Sequence, residues 1–194
     1  MQKRVIDQTA EADVLKTFTR RYVYDGDEII LEYNENNELL AHYTHSGLRT
    51  DDVLAVDVTT QGVNAGVAQS SGSFQYLKDH QGSITDITDN SCNKLTHDVY
   101  SAFGVITGIQ DASAQEIPIT SVPLRTSYSY TGREYDSESG YYYYRARYYD
   151  AQTGRFLQKD PEPGTLHILS TLLNGYVYAL NNPMTLVDPT GKII

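Results

Sequence analysis

Tryptophan is absent from the 194 residues, cysteine occurs once, and no long apolar run interrupts the chain. The lone Cys92 excludes an internal disulfide, and no metal-binding or nucleophilic constellation surrounds it, so it reads as a small buried or neutral residue. The N-terminal twenty residues carry Lys3, Arg4, Asp7, Glu11 and Asp13, a pattern of neither a secretory leader nor a membrane span. No later segment approaches a span, so any export signal is expected outside this sequence. Positive charge is also scarce: 15 Lys and Arg against 25 Asp and Glu leave a formal charge of −10. That balance argues against nucleic acid or an anionic membrane as principal partner. A local basic group, Arg145, Arg147, Arg155 and Lys159, alternates with tyrosines and reads as arginine stacked on rings within a sheet.

What the chain does have is tyrosine. It supplies 17 residues where phenylalanine supplies four, and nine of these tyrosines fall between Tyr128 and Tyr149. Tyrosine favours strands, where the ring packs across the sheet and the hydroxyl keeps a polar partner. Within the same stretch one phrase occurs twice. Arg133-Glu134-Tyr135-Asp136 leads to Gly140, and Arg147-Tyr148-Tyr149-Asp150 leads to Gly154, both reading R-x-Y-D-x-x-x-G. The period fits one strand and its turn: Asp bonds its own backbone to open the turn, and Gly supplies the positive φ that closes it.

The same grammar runs through the earlier chain. Apolar and aromatic runs at 21–24, 28–33, 38–44, 53–58, 74–77, 83–88, 94–100 and 105–110 are separated by turn clusters such as Asp25-Gly26-Asp27 and His45-Ser46-Gly47. Short strands at this spacing predict an all-β fold, with strands from 21 to 156 in one continuous curved antiparallel sheet. Residues 60–73 and 111–126 read as loops, helix is confined to 11–18 and 165–173, and 176–178 reads as a last strand.

At this point the residues resemble a known family. Tyr130-Thr131-Gly132-Arg133-Glu134-Tyr135-Asp136, the run from Gly140 to Asp150, and Gly154-Arg155-Phe156 with Asp160-Pro161 are similar to the RHS-repeat-associated core domain. That domain closes the YD-repeat shell of bacterial RHS toxins and of the C component of insecticidal Tc complexes. Upstream, Tyr22-Val23-Tyr24-Asp25-Gly26 and the stretch from Leu77 to Thr85 resemble the preceding YD repeats, so the resemblance spans about residues 20–191. It implies a lead-in at 1–19, YD-repeat strands at 20–126, and a core with a short C-terminal plug at 127–194. In the family the β-strip spirals into a shell that holds a C-terminal toxin, which an Arg and two Asp residues cut free. Carried over by motif, these are Arg147, Asp160 and Asp188, with the cut between Lys192 and Ile193. Two neighbouring carboxylates cannot both ionise easily, so one serves as acid and the other as base, and the Arg holds their geometry.

Three departures accompany the match. Lys192 stands where the family has an apolar residue, the Asp160 to Asp188 interval is long, and the Gly-Gly usual after the first Asp-Pro is missing. Only Ile193-Ile194 follow the predicted cut, so the expectation is a scaffold that carries no toxin cargo and stays at full length. Its open strand edges should pair with a second copy or another YD-repeat chain. A self-cleaving aspartyl peptidase is the second reading, and an exported carbohydrate-binding module, its tyrosine rings stacking on sugars, the third. No cofactor is implied. The histidines at 42, 45, 80, 97 and 167 supply no ligand set for a metal, and Asp86, Asp89 and Asn90 read as turn formers.

Overall fold

A computed structural model describes residues 2–6, 17–48, 51–118, 121–124, 127–162 and 174–192. Nine strands form an antiparallel meander in strict chain order: β1 (Gln2–Ile6), β2 (Thr17–Asp25), β3 (Glu28–Tyr33), β4 (Leu39–His45), β5 (Val53–Val58), β6 (Gly72–Lys78), β7 (Ile84–Asp89), β8 (Lys94–Tyr100) and β9 (Ile106–Asp111). Six of the eight pairings carry a register shift. Each bulge bends and further twists its strand, so repeated shifts curl the meander into a curved strip.

The strip buries one face. Ile29, Leu40, Tyr43, Val56, Phe74, Tyr76 and Ile87 form its core. In β5 Val56 and Val58 are buried on either side of the exposed Asp57, as the two-residue period predicts. Glu32 is fully buried in this core, held by Arg20 Nη1 at 2.7 Å and by the Tyr43 hydroxyl at 3.2 Å.

Five of the turns share one construction. The side-chain oxygens of Asn34, Asp79, Asp89 and Asp111 each accept the N–H four residues on, at 2.9 to 3.0 Å. The residue before that donor is left-handed in each: Asn37, Gly82, Cys92 and Ala114. Ser101 builds the same turn with its hydroxyl. Cys92 is therefore an exposed turn residue, not a buried one, because its place in the turn points it outward.

One continuous sheet is not what forms. A second antiparallel sheet of four strands follows: β10 (Glu134–Asp136), β11 (Tyr141–Tyr144), β12 (Arg147–Asp150) and β13 (Arg155–Phe156). The break falls in 112–133, where Pro118 and Pro123 lack the N–H that a ladder needs. Residues 60–73 also differ from the expected loop, since Thr60–Asn64 is a short helix, α1, capped by the Thr59 side chain. Residues 176–178 make a single bridge, Arg155 with Val177, in place of a strand. The expected helix at 11–18 falls partly in β2, at Thr17 and Phe18, and otherwise outside the described residues, as does the one at 165–173.

The second sheet and the turn that leads into it grip the strip through tyrosine hydroxyls. Tyr130, Tyr149 and Tyr142 donate to the successive carbonyls of Ala102, Phe103 and Gly104 in the β8–β9 turn, at 2.8 to 2.9 Å. These phenols satisfy turn carbonyls that the contact would otherwise strip of water. Behind them Tyr142, Tyr144, Tyr149, Phe156 and Tyr178 fill a second core, with Tyr149 and Tyr178 centroids 4.4 Å apart.

Candidate active site

The R-x-Y-D repeat places its two arginines in equivalent positions, each beside a buried ring. Arg133 lies over Tyr144 at 4.8 Å, and Arg147 over Phe156 at 3.5 Å. The repeat's turns match as predicted: Asp136 and Asp150 accept from Ser139 and Thr153 hydroxyls, and Gly140 and Gly154 are left-handed.

Arg147, 2% exposed, spends its donors on four groups. Nη2 is 2.8 Å from Asp160 Oδ2 and 3.1 Å from Asp188 Oδ2. Nε donates to the Gly191 carbonyl at 2.5 Å, and Nη1 to the Gly175 carbonyl at 3.0 Å. The three residues named from motif alone thus converge, with both carboxylates on one guanidinium nitrogen. Burial lowers the Arg147 pKa, against the opposing pull of the two carboxylates. Asp188 is 2% exposed, and burial raises its pKa despite the Thr190 and Lys192 N–H groups and Arg147. Asp160 is fixed by its backbone, which donates to the Gly175 carbonyl at 2.8 Å, and by the Glu162 N–H on its Oδ1.

Asp188 reaches the site because it opens a turn of the kind that recurs along the strip. Its Oδ1 accepts the Lys192 N–H at 3.1 Å, and Gly191 is left-handed at φ +66°. One oxygen builds the turn while the other faces Arg147. Lys192 points away: its Nζ lies 3.2 Å from Glu162 Oε1 in a half-exposed pair. Ile193 lies outside the described residues.

Three residues that motif reasoning missed complete the surroundings. Arg133 Nη2 and Arg145 Nη1 both donate to the Pro189 carbonyl. Both arginines also pair with Asp51, which belongs to the β4–β5 connection. The repeat itself marked Arg133 as the counterpart of Arg147, whereas nothing local marked Asp51. Chemically, a buried carboxyl pushed towards its neutral form beside a second carboxylate offers an acid and a base to one bound water.

No protein-family model matches the chain. The tRNA3(Ser)-specific nuclease WapA of Bacillus spizizenii is 31% identical over 172 residues, covering 88% of this chain and 6% of that protein. The double-stranded DNA deaminase toxin A of Burkholderia cenocepacia is 26% identical over 186 residues, 91% of this chain and 12% of that protein. The crystal structure of TcdB2-TccC3 matches 98% of this chain and 8% of that one with a TM-score of 0.65 at 22% identity, a likeness of fold. Together these likenesses support an RHS/Tc toxin-type family for this chain. The chain spans about 6% of the length of the WapA relative it matches.

Proposed function

We propose that these 194 residues are wall and closure of an RHS shell and carry no toxin activity of their own. The β2–β9 strip is the wall, and the tyrosine-rich sheet with residues 174–192 is the closing plug. The observation that carries this reading is the row of three tyrosine hydroxyls on the β8–β9 turn, which locks plug to wall. The relatives, by their names a tRNA nuclease and a DNA deaminase toxin, fit a scaffold indifferent to cargo chemistry. Among the described residues no strand pairs with the outer edge of β1. That edge is the place for a second copy or another YD-repeat chain, since unpaired N–H and C=O groups template strand addition. Light scattering should show the chain larger than 21.7 kDa in solution. A monomer at every concentration would overturn self-pairing. The carbohydrate reading gains no support, because the rings of Tyr142, Tyr144 and Tyr149 are spent on one another.

One observation favours a second reading, self-cleavage: both carboxylates share Arg147 beside the turn that presents Lys192. Water adds to the Lys192 carbonyl carbon as Asp160 takes its proton. The C–N bond to Ile193 then breaks as Asp188 protonates the departing nitrogen. Cleavage beside Lys192 requires no desolvation of its ammonium, which sits outside the site with Glu162. Intact mass should show the wild type short of Ile193-Ile194 and Asp160→Asn at full length. A full-length wild type would leave the scaffold reading alone.

A further inference from the structure

We propose that Asp51 is a positioning residue for the C-terminal turn, acting from the strip through Arg133 and Arg145. The inference deepens the self-cleavage reading and rests on it for its consequence, that the site is complete only when wall and plug are docked.

Asp51 lies in the β4–β5 connection of the nine-stranded sheet, yet its carboxylate pairs with Arg133 and Arg145, which flank strands of the second. Arg133 Nη2 lies 2.9 Å from Oδ2 and Nη1 donates to Oδ1 at 3.1 Å. Arg145 Nη2 lies 2.7 Å from Oδ1, and its Nη1 donates to Oδ2 at 3.3 Å. Two planar guanidiniums therefore clasp one carboxylate, an arrangement whose geometry is fixed by paired donors and not by charge alone. Each then extends a remaining donor to the same atom, the Pro189 carbonyl oxygen.

The backbone at Asp51 is equally committed. Its φ is +65°, and its N–H donates to Glu28 Oε1 at 2.6 Å. Its carbonyl oxygen lies where a β-carbon on Gly132 would come within 2.4 Å, so the connection is seated on the plug at close range. Asp is among the few non-glycine residues that enter the left-handed region readily.

Pro189 is the residue between Asp188 and Thr190. The turn is thus held on one side by Arg147, through the Asp188 carboxylate and the Gly191 carbonyl, and on the other by Arg133 and Arg145, through the Pro189 carbonyl. With both grips in place, Lys192 keeps its N–H on Asp188. Without Asp51 the two neighbouring guanidiniums repel and no longer converge on one oxygen, and the turn loses its second grip.

The test is residue-by-residue amide exchange by NMR on the full chain. In Asp51→Asn the Lys192 and Thr190 amides should exchange roughly tenfold faster or more, while β5 and β6 amides keep their protection. Asp51→Glu, which retains the carboxylate, should restore most of the slowing. Arg145→Gln removes one of the two donors to Pro189 at the edge of the plug and should speed the same amides, which decides the matter if Asp51→Asn does not fold. Unchanged Lys192 exchange in the folded variants, or loss spread evenly over β5 and β6, would overturn the proposal. Tail loss read by intact mass should slow in Asp51→Asn by a similar factor. A wild type that keeps its tail would sink the self-cleavage reading alone, because the exchange measurement still decides Asp51.

Discussion

A β-carbon on Gly191 would lie 1.9 Å from the carbonyl oxygen of Tyr144 in β11. The C-terminal turn is therefore pressed directly onto the backbone of the second sheet, at a residue whose φ is +66°.

Gly191→Ala should lift the turn from the sheet. Left-handed backbone alone costs an L-residue about 1–2 kcal/mol, and the added methyl meets a backbone oxygen that cannot swing aside. The Arg147 bond to the Gly191 carbonyl would be lost with it. Urea unfolding should give a lower midpoint, and Lys192 amide protection should fall. A midpoint equal to the wild type would show that the turn is not docked as described.

Arg147→Met should destabilise by about 3–5 kcal/mol, because it leaves two buried carboxylates without their cation. Adding Asp160→Asn and Asp188→Asn should recover much of that loss, since the neutral amides no longer need it. The comparison is made by urea unfolding at neutral pH. If the single variant loses less than about 1 kcal/mol, the carboxylates are not held as a buried pair.

Asp98 sets a pH dependence away from the site. Burial, with a smaller push from Asp86, raises its carboxyl to about 6 against the pull of His97. A carboxyl raised on folding makes the native state the better proton binder. Its contribution is full below the unfolded value near 4 and is lost as pH rises through about 6. Asp98→Asn should therefore gain about 1–2 kcal/mol over the wild type at neutral pH, with the gain shrinking towards pH ~4. A gain that is the same at both ends would exclude titration of Asp98 as the cause.

Cys92→Gly should stabilise the chain. Cys92 is left-handed at φ +62° in the Asp89 turn, where Gly82 fills the equivalent place in the Asp79 turn. Relief of that backbone, less the extra entropy glycine has when unfolded, leaves about 0.5–1 kcal/mol. Thermal unfolding should move up by a few degrees, and a lower midpoint would contradict the turn geometry.

The repeats were legible because their information is local. Asp136 and Asp150, fourteen residues apart, open turns whose bonds lie within four residues of each. The alternation at Val56 and Val58 likewise needed only the two-residue period of a strand. Helix α1 was not legible: Gln61, Gly62 and Asn64 read as a loop, and the segment is helical because Gly62 lets it lie against the Leu40 carbonyl. The division into two sheets was missed for a similar reason. Tyrosine alternation is the same on either side of the break, and only prolines 118 and 123 hint at it.

Motif likeness named Arg147, Asp160 and Asp188, but the composition of that neighbourhood said nothing of the atoms they share. What the sequence by itself determined is the strand-and-turn grammar, since the turns at Asn34, Asp79, Asp89, Ser101 and Asp111 are built by a side chain and the backbone a few residues away. Only the tertiary structure decided which strands share a sheet, that Arg147 spends one nitrogen on two carboxylates, and that Asp51 meets Pro189 across two arginines. Those contacts join residues 13 to 94 positions apart. They depend on where burial drives the strip and plug together, which no local pattern encodes.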